Sequence, residues 1–305
     1  MHAIYKDAKF NKKKIGDRIF AWAITLFMSI FALSFLFIFV WMILNSLRAP
    51  ANYNANPLKL FDFSGTDSLF ENYKEVFEYE VRKTILVNGK RQSVTINVVQ
   101  MLKNSFIQMA IAVIGGLLFP PAVGYVVAKY DFKLKKTIMV TVIMTMCIPM
   151  IGTTAATLKF YDKLNIINTW WPMVLSASGG LGFGVLLYGN YFGAMPWEYV
   201  ESAKLDGAGN MRAYLSIMLP QATPILLAQT VMTVIGSWND YMTSFMYMPN
   251  MPTLAYGING LTSYYSNAKP VAFAALFMMS AVTLILYGCF SKTIMSSFSA
   301  GGLKG

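Results

Sequence analysis

The sequence predicts an all-α membrane protein of six transmembrane helices, with an external loop that carries a helix and a β-hairpin. Two observations predict this class. Apolar residues make up 56% of the 305-residue chain and charged residues only 13%, whereas soluble domains average about 25% charged residues. Six apolar segments are also long enough to cross the hydrocarbon core, which takes about 20 helical residues.

The six apolar segments cover residues 19–47, 105–128, 137–158, 170–192, 220–247 and 271–294. The first is too long for a signal-peptide core, which spans about 7–15 residues, so we interpret it as a retained helix. Helix-breaking residues interrupt three of the segments. Pro120-Pro121 and Pro149 predict bends in the second and third, and glycines within 179–184 loosen the fourth.

The order of these segments divides the chain into five parts. They are an N-terminal tail (1–18), a first helix (19–47), an external loop (48–104), a core (105–295) that contains the loop 193–220, and a C-terminal tail (296–305). Basic residues cluster in the tail and in 129–136, and short cytoplasmic loops attract such clusters. We therefore place both termini in the cytoplasm and explain the net charge of +11 by topology, not by a nucleic-acid partner.

The external loop contains two recognisable elements. Residues 68–78 repeat apolar side chains at helical spacing. Residues 84–87 and 93–98 flank Asn88-Gly89, and Asn-Gly supplies the positive φ angles of a tight hairpin turn. The hairpin either contacts a partner protein or is a passive insertion, and the sequence leaves both alternatives open.

Motifs of enzymatic chemistry are absent from the sequence. There is no Gly-x-x-x-x-Gly-Lys-Ser/Thr loop to hold nucleotide phosphates. The single histidine is His2, so no histidine-based metal site is expected, and Cys147 and Cys289 are predicted to be small buried hydrophobes. The chain is therefore expected to be a conduit, not an enzyme, and to bind no metal or cofactor itself.

The loop between the fourth and fifth segments is polar and can form a short helix. Pro196 can begin it, Glu198 and Glu201 favour its first turns, and Gly207 permits a sharp turn after it. Tyr199, Ala203 and Leu205 would form a thin apolar stripe. A second helical piece, 210–218, would lead to Pro220, which would open the fifth crossing. An amphipathic connector on the membrane surface is the alternative interpretation.

This loop resembles the "EAA" loop in the permease subunits of bacterial ATP-binding-cassette (ABC) importers. That pattern is Glu-Ala-Ala, three residues, Gly, nine residues, and Ile-x-Leu-Pro. The positions here that match it or lie within it are Glu201, Ser202 (in place of Ala), Ala203, Asp206, Gly207, Ala208, Ile217, Leu219 and Pro220. Pro196-Trp197-Glu198 and the tail 299–305 look most like the maltose-type, carbohydrate-importing branch.

The resemblance implies a type I ABC importer permease fold in the bacterial cytoplasmic membrane. It implies a second permease, forming a heterodimer, together with two ATP-binding-cassette ATPases and an extracytoplasmic sugar-binding protein. ATP and Mg²⁺ would bind to the ATPases, and the loop would couple to them. The substrate would be a carbohydrate, most simply an oligosaccharide.

The fifth segment carries the candidate substrate contacts. Polar and aromatic side chains inside an apolar segment are functional candidates, because aromatic faces stack on sugar rings and polar groups bind hydroxyls. Packing against the partner permease is the alternative. The candidates are Gln229, Thr233, Ser237, Trp238, Asn239 and Asp240.

Two other functions remain as alternatives. One is an ABC importer permease for a non-sugar solute. The other is a secondary transporter driven by an ion gradient, which would require acidic residues or broken helices at matching positions in two halves. Asp240 is the one acid available for that role in the core segments.

Overall fold

The computed structural model describes residues 15–59, 61–65, 68–87, 90–147 and 152–302. Four predicted features lie outside these residues. They are most of the N-terminal tail (1–14), the Asn88-Gly89 turn, the Pro149 bend and the last residues of the C-terminal tail (303–305). Within the described ranges the chain is mainly helical, as predicted.

Three helices of the described part are long and apolar enough to cross a membrane. They are α1 (Ile15–Ser46), α4 (Val98–Lys129) and α15 (Lys269–Gly302). Helix α4 continues through Pro120 and Pro121, which are both buried. These helices contain the first, second and sixth predicted crossings.

The other predicted crossings consist of shorter helices. The third corresponds to α5 (Lys135–Cys147) and α6 (Thr153–Lys163), and the fourth to α7 (Trp171–Ala177) and α8 (Phe183–Ala194). Gly179 and Gly180 separate α7 from α8 with φ angles of +66° and +51°. Residues that carry a side chain rarely adopt such angles. The fifth corresponds to α12 (Thr223–Asn239) and α13 (Met242–Tyr247), with Asp240 at the break.

Helix α4 lies at the centre of the bundle and packs on α7, α8 and α12. Two glycines of α4 permit its close approach to α7 and α8. A Cβ atom added to Gly115 would lie 2.7 Å from the Cβ of Ala177, and one added to Gly124 would lie 2.7 Å from the Cβ of Tyr188. Small residues let membrane helices pack closely, so α4, α7 and α8 form one tightly packed unit.

The loop between α1 and α4 contains the predicted hairpin. Strands β1 (Glu80–Val87) and β2 (Lys90–Asn97) pair antiparallel, with Glu80 opposite Asn97 and Val87 opposite Lys90. The strands are longer than predicted. The loop also holds α2 (Pro50–Ala55) and α3 (Glu71–Glu78). Asn97 ends the hairpin and caps α4 in a reciprocal capping box with Gln100.

A buried arginine fixes this loop to the end of α1. The Arg48 side chain is fully buried. Its guanidinium donates to Asn45 Oδ1 at 2.8 Å and to the carbonyl oxygens of Asn52 and Asn56 at 2.9 Å each. The amide of Asn72 on α3 donates to the carbonyl of Arg48 at 2.8 Å. The same few residues therefore hold α1, α2 and α3 together.

The chain between the fourth and fifth crossings contains four short elements. They are α9 (Glu198–Leu205), α10 (Asn210–Ala213), a π-helical segment (Tyr214–Met218) and α11 (Leu219–Gln221). The remaining helix is α14 (Leu254–Tyr264), which packs on α4 and α15. Cys147 and Cys289 are free and exposed on the protein surface. The prediction that they are buried was wrong, because both lie on outward faces of apolar helices.

Candidate functional site

The loop that was predicted to be cytoplasmic forms a short helix, α9, with a well-defined C-terminus. Helix α9 carries Glu198 and Glu201 in its first turn and Lys204 in its last. These charges stabilise the helix because they oppose its dipole. At its C-terminus, the amide of Ala208 donates to the carbonyl of Ala203 (2.9 Å), and Gly207 donates to Lys204 (3.0 Å). With Gly207 at φ +79°, this is a Schellman motif.

Helix α9 carries apolar residues on more than one side, so Tyr199, Ala203 and Leu205 do not form the single stripe that was predicted. Val200 (0% exposed) and Ala203 (3% exposed) face the bundle. Leu205 is 90% exposed and Tyr199 46%. A helical turn takes 3.6 residues, so residues two positions apart, such as Ala203 and Leu205, project from different sides. Val200 and Ala203 anchor α9, and the exposed Tyr199 and Leu205 are available to another molecule.

The other predicted coupling residues divide between these two environments. Ala208, Ile217 and Leu219 are partly buried and pack against the core cluster that contains Val200 and Ala203. The exposed positions are Glu201, Ser202, Asp206, Gly207 and Pro220.

Pro220 does not open the fifth crossing, which corrects the prediction. It lies in α11, and α12 begins at Thr223 with a proline in its first turn. The helical segments 210–221 and 223–239 meet at an angle of 75°. The chain therefore turns sharply at Ala222, where the polar loop joins the membrane helix.

Aromatic rings join the polar loop to the ends of the neighbouring helices. Trp197 packs edge-on against Tyr130, with ring centroids 5.9 Å apart. The ammonium of Lys204 lies 5.4 Å from the centroid of Trp197, and that of Lys129 lies 5.9 Å from it. These cation–π distances are favourable. The C-terminal end of α4 and the start of α9 are thus in direct contact.

A cavity of about 430 Å³ lies between α4, α7, α8 and α12, within the usual volume range of small-molecule sites. Its wall combines apolar groups with a few polar side chains. The lining residues are Gln108, Ala112, Gly116, Pro120, Met173, Ser176, Ala177, Gly179, Gly184, Tyr188, Gln229, Thr233, Gly236, Ser237 and Asp240.

Four of the six predicted substrate-path residues line this cavity, namely Gln229, Thr233, Ser237 and Asp240. The other two do not. Trp238 is 2% exposed and packs in the core, where its indole N–H donates to the carbonyl of Met279 at 3.3 Å. Asn239 donates to the carbonyl of Ile235 on its own helix. The structure therefore gives Trp238 a packing position in place of the predicted stacking position.

Sequence reasoning missed three polar residues of the wall, Gln108, Ser176 and Tyr188. Gln108 Nε2 lies 3.2 Å from Asp240 Oδ2, across 132 residues of sequence. The amide of Thr243 donates to the other carboxyl oxygen, Oδ1, at 3.1 Å. A glutamine inside the apolar segment 105–128 was a detectable signal, because an amide is costly in hydrocarbon. Tyr188 offered no such signal among 17 tyrosines.

Within the described ranges, no group of three or more His, Cys, Asp or Glu side chains is placed to hold a metal ion. The polar groups of the cavity are amides, hydroxyls and one carboxyl group, which suit hydrogen bonding to an organic solute.

Comparison with known proteins agrees with this arrangement. The chain is 28% identical over 252 residues to the maltodextrin transport system permease protein MdxG of Bacillus subtilis, covering 80% of this chain and 83% of the relative. It is 25% identical over 285 residues to the arabinooligosaccharides transport system permease protein AraQ of the same organism, covering 93% and 95%.

A solved structure shares the fold. It belongs to a bacterial ABC transporter involved in the import of the acidic polysaccharide alginate, with a TM-score of 0.71 at 18% identity, over 91% of this chain and 97% of that chain. Residues 121–291 match the family model described as "Binding-protein-dependent transport system inner membrane component". This match covers both the polar loop and α12. The chain therefore belongs to the family of inner membrane components of binding-protein-dependent transport systems.

Proposed function

We propose that this chain is a permease subunit of an ATP-driven importer and that, with a second permease, it forms the path of a carbohydrate, most simply an oligosaccharide. The observation that carries the proposal is helix α9, which is anchored by Val200 and Ala203 and presents Tyr199 and Leu205 outward. Relatives named for maltodextrin and arabinooligosaccharide transport support the substrate class.

The charge near the loop supports its placement in the cytoplasm. Lys129 lies over Trp197, so the end of α4 and its basic neighbours Lys133, Lys135 and Lys136 lie at the same end of the bundle as α9. Basic residues beside membrane helices favour the cytoplasmic side. On this orientation, the loop with the hairpin faces outward and both termini lie inside.

The family supports the partners, since its description names a binding-protein-dependent transport system. The chain has no phosphate-binding loop, so ATP and Mg²⁺ are assigned to two separate ATPase subunits that contact α9. A second permease would complete the wall of the cavity, and an external binding protein would deliver the sugar. The position of α9 allows its movement to reach the cavity, because Val200 and Ala203 pack in the same cluster as Tyr188, which lines the cavity.

The test is to reconstitute the complete importer in vesicles and to measure ATP-dependent uptake of oligosaccharides. A double substitution of Tyr199 and Leu205 to Asp should release the ATPase and abolish uptake, because a few contact residues carry most of the energy of an interface and Asp would place two charges there. Leu58→Asp is the control, since Leu58 is 82% exposed in the loop between α1 and α4. Normal ATPase binding and uptake by the double variant would refute the proposed role of α9.

A further inference from the structure

One ammonium group of α4 contacts both ends of the linker between α8 and α9. This linker consists of Met195, Pro196 and Trp197. Lys129, the last residue of α4, donates a hydrogen bond to the carbonyl of Met195. Its ammonium nitrogen also lies 5.9 Å from the centroid of the Trp197 ring. The residue between these two contacts is a proline, whose φ angle is fixed. A short and stiff linker is therefore attached at both ends to the same residue of α4.

A second ammonium group attaches the last turn of α9 to the same ring. The nitrogen of Lys204 lies 5.4 Å from the centroid of Trp197 and 5.8 Å from that of Tyr130. Tyr130 follows Lys129 at the C-terminus of α4 and packs edge-on against Trp197. Two lysines and two aromatic rings thus form one cluster. We call it the lysine–tryptophan clamp, and its residues are Lys129, Tyr130, Trp197 and Lys204.

Ring faces and a carbonyl oxygen hold the cations of the clamp. Within the described ranges, neither Lys129 nor Lys204 forms an ion pair with a carboxylate. Lys129 is partly buried, so its ammonium has exchanged water for the Met195 carbonyl and the Trp197 ring. A cation–π contact becomes stronger when the cation loses water. Trp197 is therefore a specific partner of Lys129.

Helix α4 connects the clamp to the cavity. It is continuous from Val98 to Lys129, and each residue adds 1.5 Å along a helix. Gln108 in the cavity wall is therefore about 32 Å from Lys129 along the same helix axis. A displacement of the linker that carries Lys129 with it displaces a helix that forms part of the cavity wall.

The clamp differs in kind from the apolar contacts of α9. Val200 and Ala203 pack among apolar side chains, and apolar attraction has no preferred direction. Such packing keeps α9 against the bundle but permits it to rotate. The clamp contacts are directional, because each ammonium must lie over a ring or at a carbonyl oxygen. The clamp therefore opposes a rotation of α9 that the apolar packing permits.

We infer that Lys129 and Trp197 are positioning residues that make α4 follow α9, so that a movement of α9 reaches the cavity. The inference rests on the proposed function and deepens it, because it names residues that join ATP hydrolysis to transport. Loss of the clamp should leave the ATPase bound and active. It should reduce the number of sugar molecules transported for each ATP hydrolysed.

The substitutions that test the clamp are Lys129→Met and Trp197→Leu, which keep an apolar side chain at each position. Each should lower the ratio of sugar transported to ATP hydrolysed roughly two- to fivefold, the factor expected from the loss of a cation–π contact. Lys129→Arg and Trp197→Phe keep the cation and the ring, and they should retain most of the ratio. A purely structural role would lower the thermal stability and leave the ratio unchanged.

The double variant Lys129→Met/Trp197→Leu tests whether the two residues act through each other. Residues in contact have non-additive effects, whereas distant residues have additive effects. The double variant should therefore lose little more than Trp197→Leu alone. Lys136→Met is the matched control, because Lys136 is an exposed lysine in the first turn of α5. It should keep the ratio of the unmodified protein. Additive losses in the double variant, or an equal loss in the control, would overturn the clamp.

The experiment uses the complete importer in vesicles, with ATP and labelled malto-, galacto- and arabino-oligosaccharides. Sugar uptake and phosphate release are measured in the same vesicles, and the bound ATPase is measured by co-purification. A lower ratio with the ATPase retained supports the clamp. An unchanged ratio in both single variants, or loss of the ATPase from them, overturns the clamp and leaves the proposed function standing. If the unmodified importer takes up none of the probes, the proposed function is refuted, and the clamp with it.

Discussion

The ring of Tyr214 stacks on the ring of Tyr125, with the centroids 4.8 Å apart and the planes inclined by 29°. Tyr214 begins the π-helical segment after α10, and Tyr125 lies in the last turns of α4. Helix α4 supplies Gln108, Gly116 and Pro120 to the cavity wall. A movement of the polar loop must therefore either carry α4 with it or break this stack.

We expect Tyr214→Ala to destabilise the protein by about 3–5 kcal/mol, the usual cost of truncating a buried aromatic side chain. The residue is 8% exposed and lies in the same cluster as Tyr188 and Phe192. Thermal unfolding of the purified complex measures the loss. Tyr214→Phe keeps the stacked ring and should retain most of the stability and of the ATP-driven uptake. Loss of uptake in the Phe variant would show that the stack is not the important feature.

Gly207→Ala should destabilise the end of α9 by about 1–2 kcal/mol, because a left-handed φ of +79° is unfavourable for a residue with a Cβ atom. Gly209→Ala is a matched control two residues away. Gly209 has a φ of −69°, and a Cβ there meets no atom within 4 Å. The readouts are thermal stability and the ratio of sugar transported to ATP hydrolysed. Similar results for the two variants would contradict a conformational requirement at Gly207.

Gly124→Ala should disrupt the packing of α4 on α8. The new Cβ would lie 2.7 Å from the Cβ of Tyr188 and 2.8 Å from the amide nitrogen of Gly189. Overpacking of this kind costs about 1–3 kcal/mol. Gly193→Ala in α8 is the control. A Cβ added there meets no atom within 4 Å, so this variant should be neutral or mildly stabilising. Thermal unfolding distinguishes the two, and an undiminished melting temperature for Gly124→Ala would contradict the close helix contact.

Glu75→Gln should stabilise the loop between α1 and α4 at neutral pH. Burial, together with the charges of Glu71 and Glu78, raises the pKa of Glu75 above its ordinary value of 4.5. A raised carboxyl pKa means that ionisation opposes folding above the folded-state pKa, and that this opposition vanishes below the unfolded value. The advantage of the Gln variant should therefore disappear below about pH 4.5.

Hydrogen exchange of residues 71–79 across this pH range measures the effect of Glu75→Gln. Exposed Glu78 forms an ion pair with Lys74 at 3.7 Å, so Glu78→Gln serves as the comparison. It removes one neighbouring charge and should lower the pKa of Glu75 without removing its carboxyl group. Equal protection of the unmodified protein and Glu75→Gln at pH 7 would show that the burial of Glu75 has no consequence for stability.

The polar loop was predictable because its signals are local. A first turn rich in glutamate and a glycine at the C-terminus specify a short helix, and α9 and Gly207 confirm both. The local sequence does not indicate which side of α9 packs against the bundle. Ala203 and Leu205 are both apolar, and only the position of the bundle decides that Ala203 is buried and Leu205 exposed.

The cavity was partly predictable for a related reason. The polar residues around Asp240 identified one wall of the cavity, since polar residues are unusual in an apolar segment. The opposite wall required the packing of α4 on α12, which brings Gln108 within hydrogen-bond distance of a residue 132 positions away. The aromatic character of Trp238 suggested stacking on a ligand, but its indole packs in the core and bonds to Met279.

The attachment of the loop at Arg48 has a consequence for the conditions under which this protein can work. Its guanidinium is held by one amide oxygen and two backbone carbonyls. These acceptors carry no net charge, so they neither titrate with pH nor lose strength by screening as an exposed ion pair does. On the orientation proposed above, the attached loop faces the surroundings of the cell. The Arg48 attachment should therefore hold equally well when a bacterium meets acidic or saline growth media.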